Sequence, residues 1–373
     1  MKGLSIVSKG IEDISALEIN ELIKVDTVVE ERAVIFDVKT YEDLCLLCYK
    51  SQSSDRIILL LDSFKFKKIK DIQKKVKSID LSQWLDKNKT FRVTSSISDN
   101  ELSSAEIDPE VGSFIFDNIK KNNKIELKVN LDNPDVIFFV YVVKDKCYFG
   151  VDFSGFDMHK RSYKVFHNRA SLRGTIAYAL VRLAGFNGKE KLLDCFMGDG
   201  TTVIEAALFG ADSPVRYFDK DQFVFSKFID FDFDSADKKT HMDNLDLAGC
   251  DPIWLNVNNA KKNAKIANIN KLISFSKMDI DFLETKFPEG SVDLIVTQVP
   301  VFGKHSNVKE IEKIYDEFFY QAEFILNKKG RLVVISNKDE LLKEIAVKYK
   351  FNVVDQRDVW SGEAKLKILV FVK

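Results

Sequence analysis

The side chains best suited to chemistry lie in one stretch, Asp194-Cys195-Phe196-Met197-Gly198-Asp199-Gly200-Thr201-Thr202, followed by VIEAALFGA. An apolar run ends in an acid, a glycine-containing turn follows, and a helix begins at once. In a doubly wound sheet the first strand-to-helix turn lies at the ligand crevice, where glycines let a ligand approach the backbone. Glycine is scarce in this chain, 16 of 373 residues, so the closely spaced Gly198 and Gly200 are informative. A phosphate-binding loop would offer backbone N–H groups and a lysine. This turn offers Asp194 and Asp199, and no lysine. At about 5 Å and an effective dielectric near 20, each carboxylate would repel a unit negative charge by roughly 3 kcal/mol. A triphosphate is thereby disfavoured, and a ligand with an ammonium, a sulfonium and no phosphate is favoured. S-adenosylmethionine meets that description, with Asp194, Met197, Gly198, Gly200 and Thr201 as its expected contacts on this turn.

Two further acids end the next two predicted strands. Asp251, in Ala248-Gly249-Cys250-Asp251-Pro252, is placed to accept ribose hydroxyls. Asp279, in Phe275-Ser276-Lys277-Met278-Asp279, could take an adenine amino group. Singly, such an acid is more often a helix cap or a solvated loop charge. Three acids on three successive strand ends are harder to explain that way. The fourth strand ends in VTQVPVFGKH (296–305), where Gln298 supplies a carbonyl acceptor.

Positioning these residues is the task of a strictly alternating segment that begins near Ser154. Its short apolar runs, KLLDCFM (191–197), DLAGCD (246–251), LISFSKMD (272–279), VDLIVTQV (292–299) and GRLVVIS (330–336), predict parallel strands buried on both faces. FNVVDQRDVW and AKLKILVFVK predict a terminal antiparallel pair. The expectation is an α/β, Rossmann-like, seven-stranded and mostly parallel sheet. Residues 212–244, rich in Asp and Phe, read as an inserted element over that sheet. Upstream, LSIVS, IEDISALEINELI, TVVEE, RAVIFDV, YEDLCLLCYKS and RIILLLDSF follow the β-α-β-β-α-β order of a ferredoxin-like unit. A second unit follows, with a helix over 69–85, the strand TFRVTSS, the helix PEVGSFIFDNIKK, and two strands meeting at Lys144-Asp145. The basic string 65–77 reads as the wet face of a helix whose Ile69, Ile72 and Val76 point inward.

Lys+Arg is 56 and Asp+Glu is 57, a net charge of −1. That excludes a wholly basic nucleic-acid binder but leaves room for a basic patch on one face. No run of about 18 uncharged apolar residues is present, so no membrane span is expected. Five scattered cysteines, an odd number, suggest reduced thiols in a cytoplasm. Cys45 and Cys48 form a C-x-x-C within a helical pattern and read as core residues, and no metal site is expected.

A resemblance now adds to these readings. DCFMGDGTTVIEAA followed by GCDPIWLNVNNAKKNAKIAN resembles a class I methyltransferase sheet, and VTQVPVFGK resembles the D/N-P-P-Y/F motif of amino-group methyltransferases. SKGIEDISALEINELI, KTFRVTSS, EVGSFIFDNI and NPDVIFFVYVVKDKCYFGVDFSG are similar to a ferredoxin-like plus THUMP module, as is the junction 159–185 to the same family. Nearly the whole chain resembles the THUMP-domain RNA guanine methyltransferases, most closely archaeal-type tRNA enzymes acting on the guanine 2-amino group. The resemblance implies an N-terminal ferredoxin-like domain (1–64), a THUMP RNA-binding domain (65–153) and a class I methyltransferase domain (154–373). It implies S-adenosylmethionine as cofactor and tRNA as partner, with large-subunit rRNA or a silent RNA-binding role as alternatives, in a cytoplasmic monomer. Within the motif, Gln298 would hold the amine and contact the cofactor, and Pro300 and Phe302 would complete the catalytic loop. The motif departs from the family pattern: Gln298 replaces Asn or Asp, Val299 replaces Pro, and strict count puts Val301 in the aromatic place. Phe302 stacks on a base only if the loop bulges by one residue. Asp199 stands where the family more often has a small residue. Methyl transfer to an amine needs no strong base before the methyl departs, so His167 and His305 are not assigned a catalytic role. Arg92, Lys160, Arg161 and Lys164 are candidate phosphate contacts, which position RNA without reading its sequence.

Overall fold

The computed structural model describes residues 1–123, 127–168, 171–237, 244–300 and 308–373. Two compact units emerge: Met1–Val7, Ser15–Met158 and Asp219–Ala236 form one, while Ser8–Ile14, His159–Phe218 and Asp237–Lys373 form the other. In chain order the elements begin β1 (Lys2–Val7), α1 (Glu12–Ile23), β2 (Thr27–Glu30), β3 (Ala33–Asp37), α2 (Tyr41–Lys50) and β4 (Ser54–Lys65). They continue α3 (Ile69–Lys77), β5 (Thr90–Ser98), α4 (Ser104–Asn123), β6 (Lys128–Val129), β7 (Val136–Val143) and β8 (Lys146–Asp152). After these come α5 (Gly174–Leu183), β9 (Leu192–Asp194), α6 (Thr201–Gly210), α7 (Phe233–Ala236), β10 (Leu247–Asp251), α8 (Trp254–Ile266) and β11 (Ile273–Lys277). The chain closes with β12 (Val292–Gln298), α9 (Val308–Ile325), β13 (Leu326–Ser336), α10 (Asp339–Lys348), β14 (Asn352–Ser361) and β15 (Ala364–Val372). None of the described helices is long and apolar enough to cross a membrane.

The first unit is built on one sheet of order β2-β3-β1-β4-β8-β7-β5-β6. Its first four strands have the ferredoxin-like arrangement that the β-α-β-β-α-β order predicts. Antiparallel pairing of β4 with β8, Ile58 opposite Asp152, carries that arrangement into the second half without a break. Cys45 and Cys48 lie on the inner face of α2 and are fully buried. The helix expected over 69–85 stops at Lys77. There the Ser78 hydroxyl donates to the Lys75 carbonyl at 2.7 Å, and the Asp80 carboxylate accepts the Ser82 N–H at 2.9 Å. These side-chain bonds offer the backbone an alternative to further helix, and they turn the chain so that Leu81, Trp84 and Leu85 are buried.

Residues 212–244 do not lie as a single cover over the second sheet, as the sequence suggested. Asp219–Ala236 belongs to the first unit, where Phe223 and Phe225 stack at 4.9 Å and Phe233 meets Tyr49 edge-on at 5.0 Å. The Phe225 N–H donates to the Phe153 carbonyl at 3.2 Å. A run of phenylalanines needs an uncovered apolar surface, and the second sheet has none to spare. One face of that sheet is packed by α5, α6 and α8, the other by α9 and α10.

The second sheet runs β11-β10-β9-β12-β13-β15-β14. Six of the seven strands run in one direction and only β15 is reversed, antiparallel to both β13 and β14, so the expected terminal pair closes the sheet. Because β9 lies between β10 and β12, the C-terminal ends of all three reach one edge together. Replacing Phe225, which is fully buried, with alanine should cost about 3–5 kcal/mol. Denaturant unfolding would measure the loss, and hydrogen exchange should show it in α2 and β8 rather than in β13.

Candidate active site

The turn between β9 and α6 is shaped by two left-handed glycines, Gly198 at φ 54° and Gly200 at φ 82°. A Cβ on Gly200 would come within 2.8 Å of the Ala260 methyl on α8, so the turn packs too closely for a side chain there. Met197 is buried against Val257 and Ala260 of the same helix. The Asp251 carboxylate at the end of β10 then binds the pieces together. It accepts the Gly198 N–H at 3.0 Å, the Ile253 N–H at 2.9 Å and the Asn256 amide at 3.0 Å. Burial pushes the Asp251 carboxyl upward, and these three donors oppose that rise.

Asp194 is more deeply enclosed, at 1% exposure. Its carboxylate accepts the Thr297 hydroxyl at 2.6 Å and the Phe196 N–H at 3.3 Å. Burial nevertheless pushes this carboxyl up to about 7. Gln298, half-buried at the end of β12, faces the same cleft. The ends of β10 and β12 are two strand spacings apart, about 10 Å. Val299 turns into the core beside α9, and the Pro300 carbonyl accepts the Tyr315 hydroxyl at 3.1 Å, which anchors the start of the loop.

Asp194, Met197, Gly198, Thr201, Asp251, Gln298 and Pro300 all line this one cleft, and Gly200 forms the turn at the start of α6. Asp279 does not join them. It lies two residues past the end of β11 and is exposed. Val301, Phe302 and His305 lie outside the described residues. Asp199 is buried and engaged, accepting the Thr201 hydroxyl at 2.7 Å and the Ser171 hydroxyl, with the Lys164 ammonium 3.9 Å away. Its charge is therefore partly answered from within the protein.

The candidate phosphate contacts divide sharply. Arg161 must be withdrawn, because its side chain has no exposure and its guanidinium grips Glu205 at 2.7 and 3.1 Å. Lys164 is also mostly enclosed, donating to the Leu172 carbonyl, and burial lowers its pKa. Lys160 is exposed. Arg92, in the first unit, is half-buried and donates to the Leu131 carbonyl at 2.7 Å. Sequence reasoning missed Thr297, Asn256, Tyr315 and Asn263. The last is fully buried and exchanges hydrogen bonds of 2.9–3.0 Å with the Phe166 backbone and the Asp199 carbonyl. A single threonine in the apolar run VDLIVTQ was the one available signal.

Among the described residues lining the cleft are three aspartates and no lysine or arginine. This donor set fits a nucleoside carrying positive charge and does not fit a polyphosphate. Asp251 also retains acceptor capacity for about one hydroxyl, since a carboxylate has about four lone-pair sites and three are taken.

The RMKL-like methyltransferase domain family matches residues 161–366, and the THUMP domain family matches 66–152. The tRNA (guanine(6)-N2)-methyltransferase of Methanocaldococcus jannaschii is 32% identical over 367 residues, covering 95% of this chain and 96% of that one. The chain belongs to the THUMP-domain RNA guanine-N2 methyltransferases. A second relative, the ribosomal RNA large subunit methyltransferase K/L of Vibrio parahaemolyticus, is 27% identical. That match covers 91% of this chain and 49% of that protein. The fold matches SMU.472, a methyltransferase crystallised with S-adenosylhomocysteine, at a TM-score of 0.84 and 20% identity, covering 100% and 97% of the two chains. From its family, S-adenosylmethionine is the cofactor of this methyltransferase and would supply an electrophilic methyl group when bound. Asp251, the glycine turn and Asp194 are the residues that would hold it.

Two expectations follow for this methyltransferase. Asp194 titrates near 7 in the protein alone, and a cationic ligand favours its ionised form, so binding should expel a proton around neutrality. Affinity for the cofactor should fall about tenfold from pH 8 to pH 6, and Asp194→Asn should flatten that profile. Calorimetry in buffers of unlike ionisation enthalpy reads the proton, and identical heats would refute the assignment. Separately, Arg161→Ala should cost about 3–5 kcal/mol, because it strands the Glu205 charge in the core. Chemical denaturation would show it as a lowered midpoint.

Proposed function

We propose that this enzyme methylates the exocyclic 2-amino group of a guanosine in tRNA, at position 6, acting as a cytoplasmic monomer without a metal. The observation that carries the reading is the presence of Gln298 in the same cleft as Asp194 and Asp251. An exocyclic amine is a poor nucleophile because its lone pair is delocalised into the ring. The Gln298 carbonyl can accept one amine N–H, and the backbone carbonyl next to it can accept another, which fixes the nitrogen's direction. Rate then comes from alignment, with effective molarities that reach about 10⁵ M or more. Tyr315 supports this geometry by holding the Pro300 carbonyl. The amine proton becomes acidic only as positive charge develops, and water can take it. Phe302 takes the stacking position against the extruded base only if the loop bulges by one residue. The THUMP family match over 66–152 supports an RNA grip in the first unit, with Arg92 as a phosphate contact there, and the exposed Lys160 is a candidate contact in the second unit.

The test is labelled methyl incorporation into unmodified host tRNA transcripts, with digestion and mass spectrometry to locate the modified guanosine. An excess of large-subunit rRNA fragment should compete weakly, and strong competition would favour the ribosomal substrate. Absence of incorporation into either RNA would leave only a silent RNA-binding role. Gln298→Ala should abolish turnover while cofactor affinity stays nearly intact. Asp251→Ala should weaken cofactor binding by about 1–3 kcal/mol through lost charged hydrogen bonds. Swapped phenotypes would overturn the assignment of the two residues.

A further inference from the structure

The protein as a whole is nearly neutral, yet one stretch of the second unit is not. From Pro252 to Met278 the chain carries five lysines and no acid. Most of this stretch is α8, whose inner face buries Val257, Ala260, Asn263 and Ala264. Its outer face presents Trp254, Leu255, Asn258, Lys261, Lys262 and Lys265, which fall on one stripe of a 3.6-residue helix. Trp254 is 54% exposed and Leu255 is 65% exposed, which is unusual for such side chains on a helix. The Lys261 ammonium lies 5.5 Å from the centre of the Trp254 ring. The stripe begins at the mouth of the catalytic cleft, since Ile253 and Asn256 both line it.

We infer that the outer face of α8 is an RNA-binding surface, on which Trp254 stacks a nucleobase and Lys261, Lys262 and Lys265 neutralise the adjoining phosphates. Flat aromatic faces beside a row of cations are how single-stranded nucleic acid is held without sequence readout. A protein partner fits poorly, because protein interfaces are depleted of lysine, particularly at their cores. The strand held here is the segment of substrate RNA next to the target guanosine, splayed away from its pairing partner as RNA recognition commonly requires. This assignment rests on the reading that the enzyme acts on RNA.

The test uses the full chain with two probes, a tRNA transcript and a twelve-residue oligouridylate, and follows cofactor binding in parallel. The triple variant K261Q/K262Q/K265Q should bind tRNA more than tenfold more weakly near 0.15 M salt. Its plot of log affinity against log salt should be shallower by about two. Trp254→Ala should weaken binding about tenfold with little change in that slope. Cofactor affinity should stay within twofold in both variants. Unchanged RNA affinity and slope would overturn the inference while leaving methyl transfer to tRNA intact. A matching loss of cofactor affinity would also overturn it, by placing these side chains in the cofactor site. If the wild type neither binds nor methylates tRNA, the functional reading falls and oligouridylate decides the surface alone. Loss of oligouridylate binding in the variants upholds the surface, and unchanged binding, or none by the wild type, overturns it.

Discussion

Two desolvated carboxylates with no lysine or arginine among the described residues of their cleft, Asp194 and Asp251, set the terms for the catalytic unit. A buried charge must be paired, hydrogen-bonded or neutralised. The protein answers with donors that are short of a full charge: the Thr297 hydroxyl, the Asn256 amide, and backbone N–H groups of Phe196, Gly198 and Ile253. These donors come from β12, from the turn after β9 and from the start of α8. Satisfying the two acids therefore also fixes the positions of the strand ends around them. The remaining imbalance is what a cationic nucleoside corrects.

That arrangement has a cost in the folded protein. With the Asp194 carboxyl near 7 against an ordinary value of 3.8, the folded state binds a proton that the unfolded state has lost between those pH values. The Asp194 contribution to stability falls as pH rises through that window, and above it the cost of this group stands at on the order of 4 kcal/mol. The cost is offset by apolar packing on the two faces of the sheet, while the buried Arg161–Glu205 pair fixes the segment entering α5. A site tuned to bind positive charge is thus held open by packing that does not itself touch the ligand.

The segment 159–172 shows how tightly that support is organised. Arg161 and Tyr163 both reach Glu205 on α6, Asn263 clasps the Phe166 backbone, and Ser171 donates to Asp199 of the glycine turn. A Cβ on Gly174 would meet Glu205 Oε1 at 2.6 Å, so the start of α5 must approach this pair without a side chain. Residues that look polar and accessible in the sequence are here the framework behind the cofactor turn.

What the sequence determined by itself was whatever local geometry enforces. Apolar runs of strand length, the acid-glycine turn, the acid ending β10 and the alternation of strand and helix are written in neighbouring residues. Steric limits on φ and ψ and the periods of helix and strand then leave little choice. Which charges face water is settled by long-range packing instead. Lys160 and Arg161 are adjacent and equally basic, yet one is exposed and the other has none of its side chain in solvent. The same holds for Asp251 and Asp279, and for the phenylalanines of 219–236, whose place depended on which sheet still had apolar surface to cover. Burial is a property of partners distant in the chain, such as Arg161 with Glu205, and no local pattern encodes it.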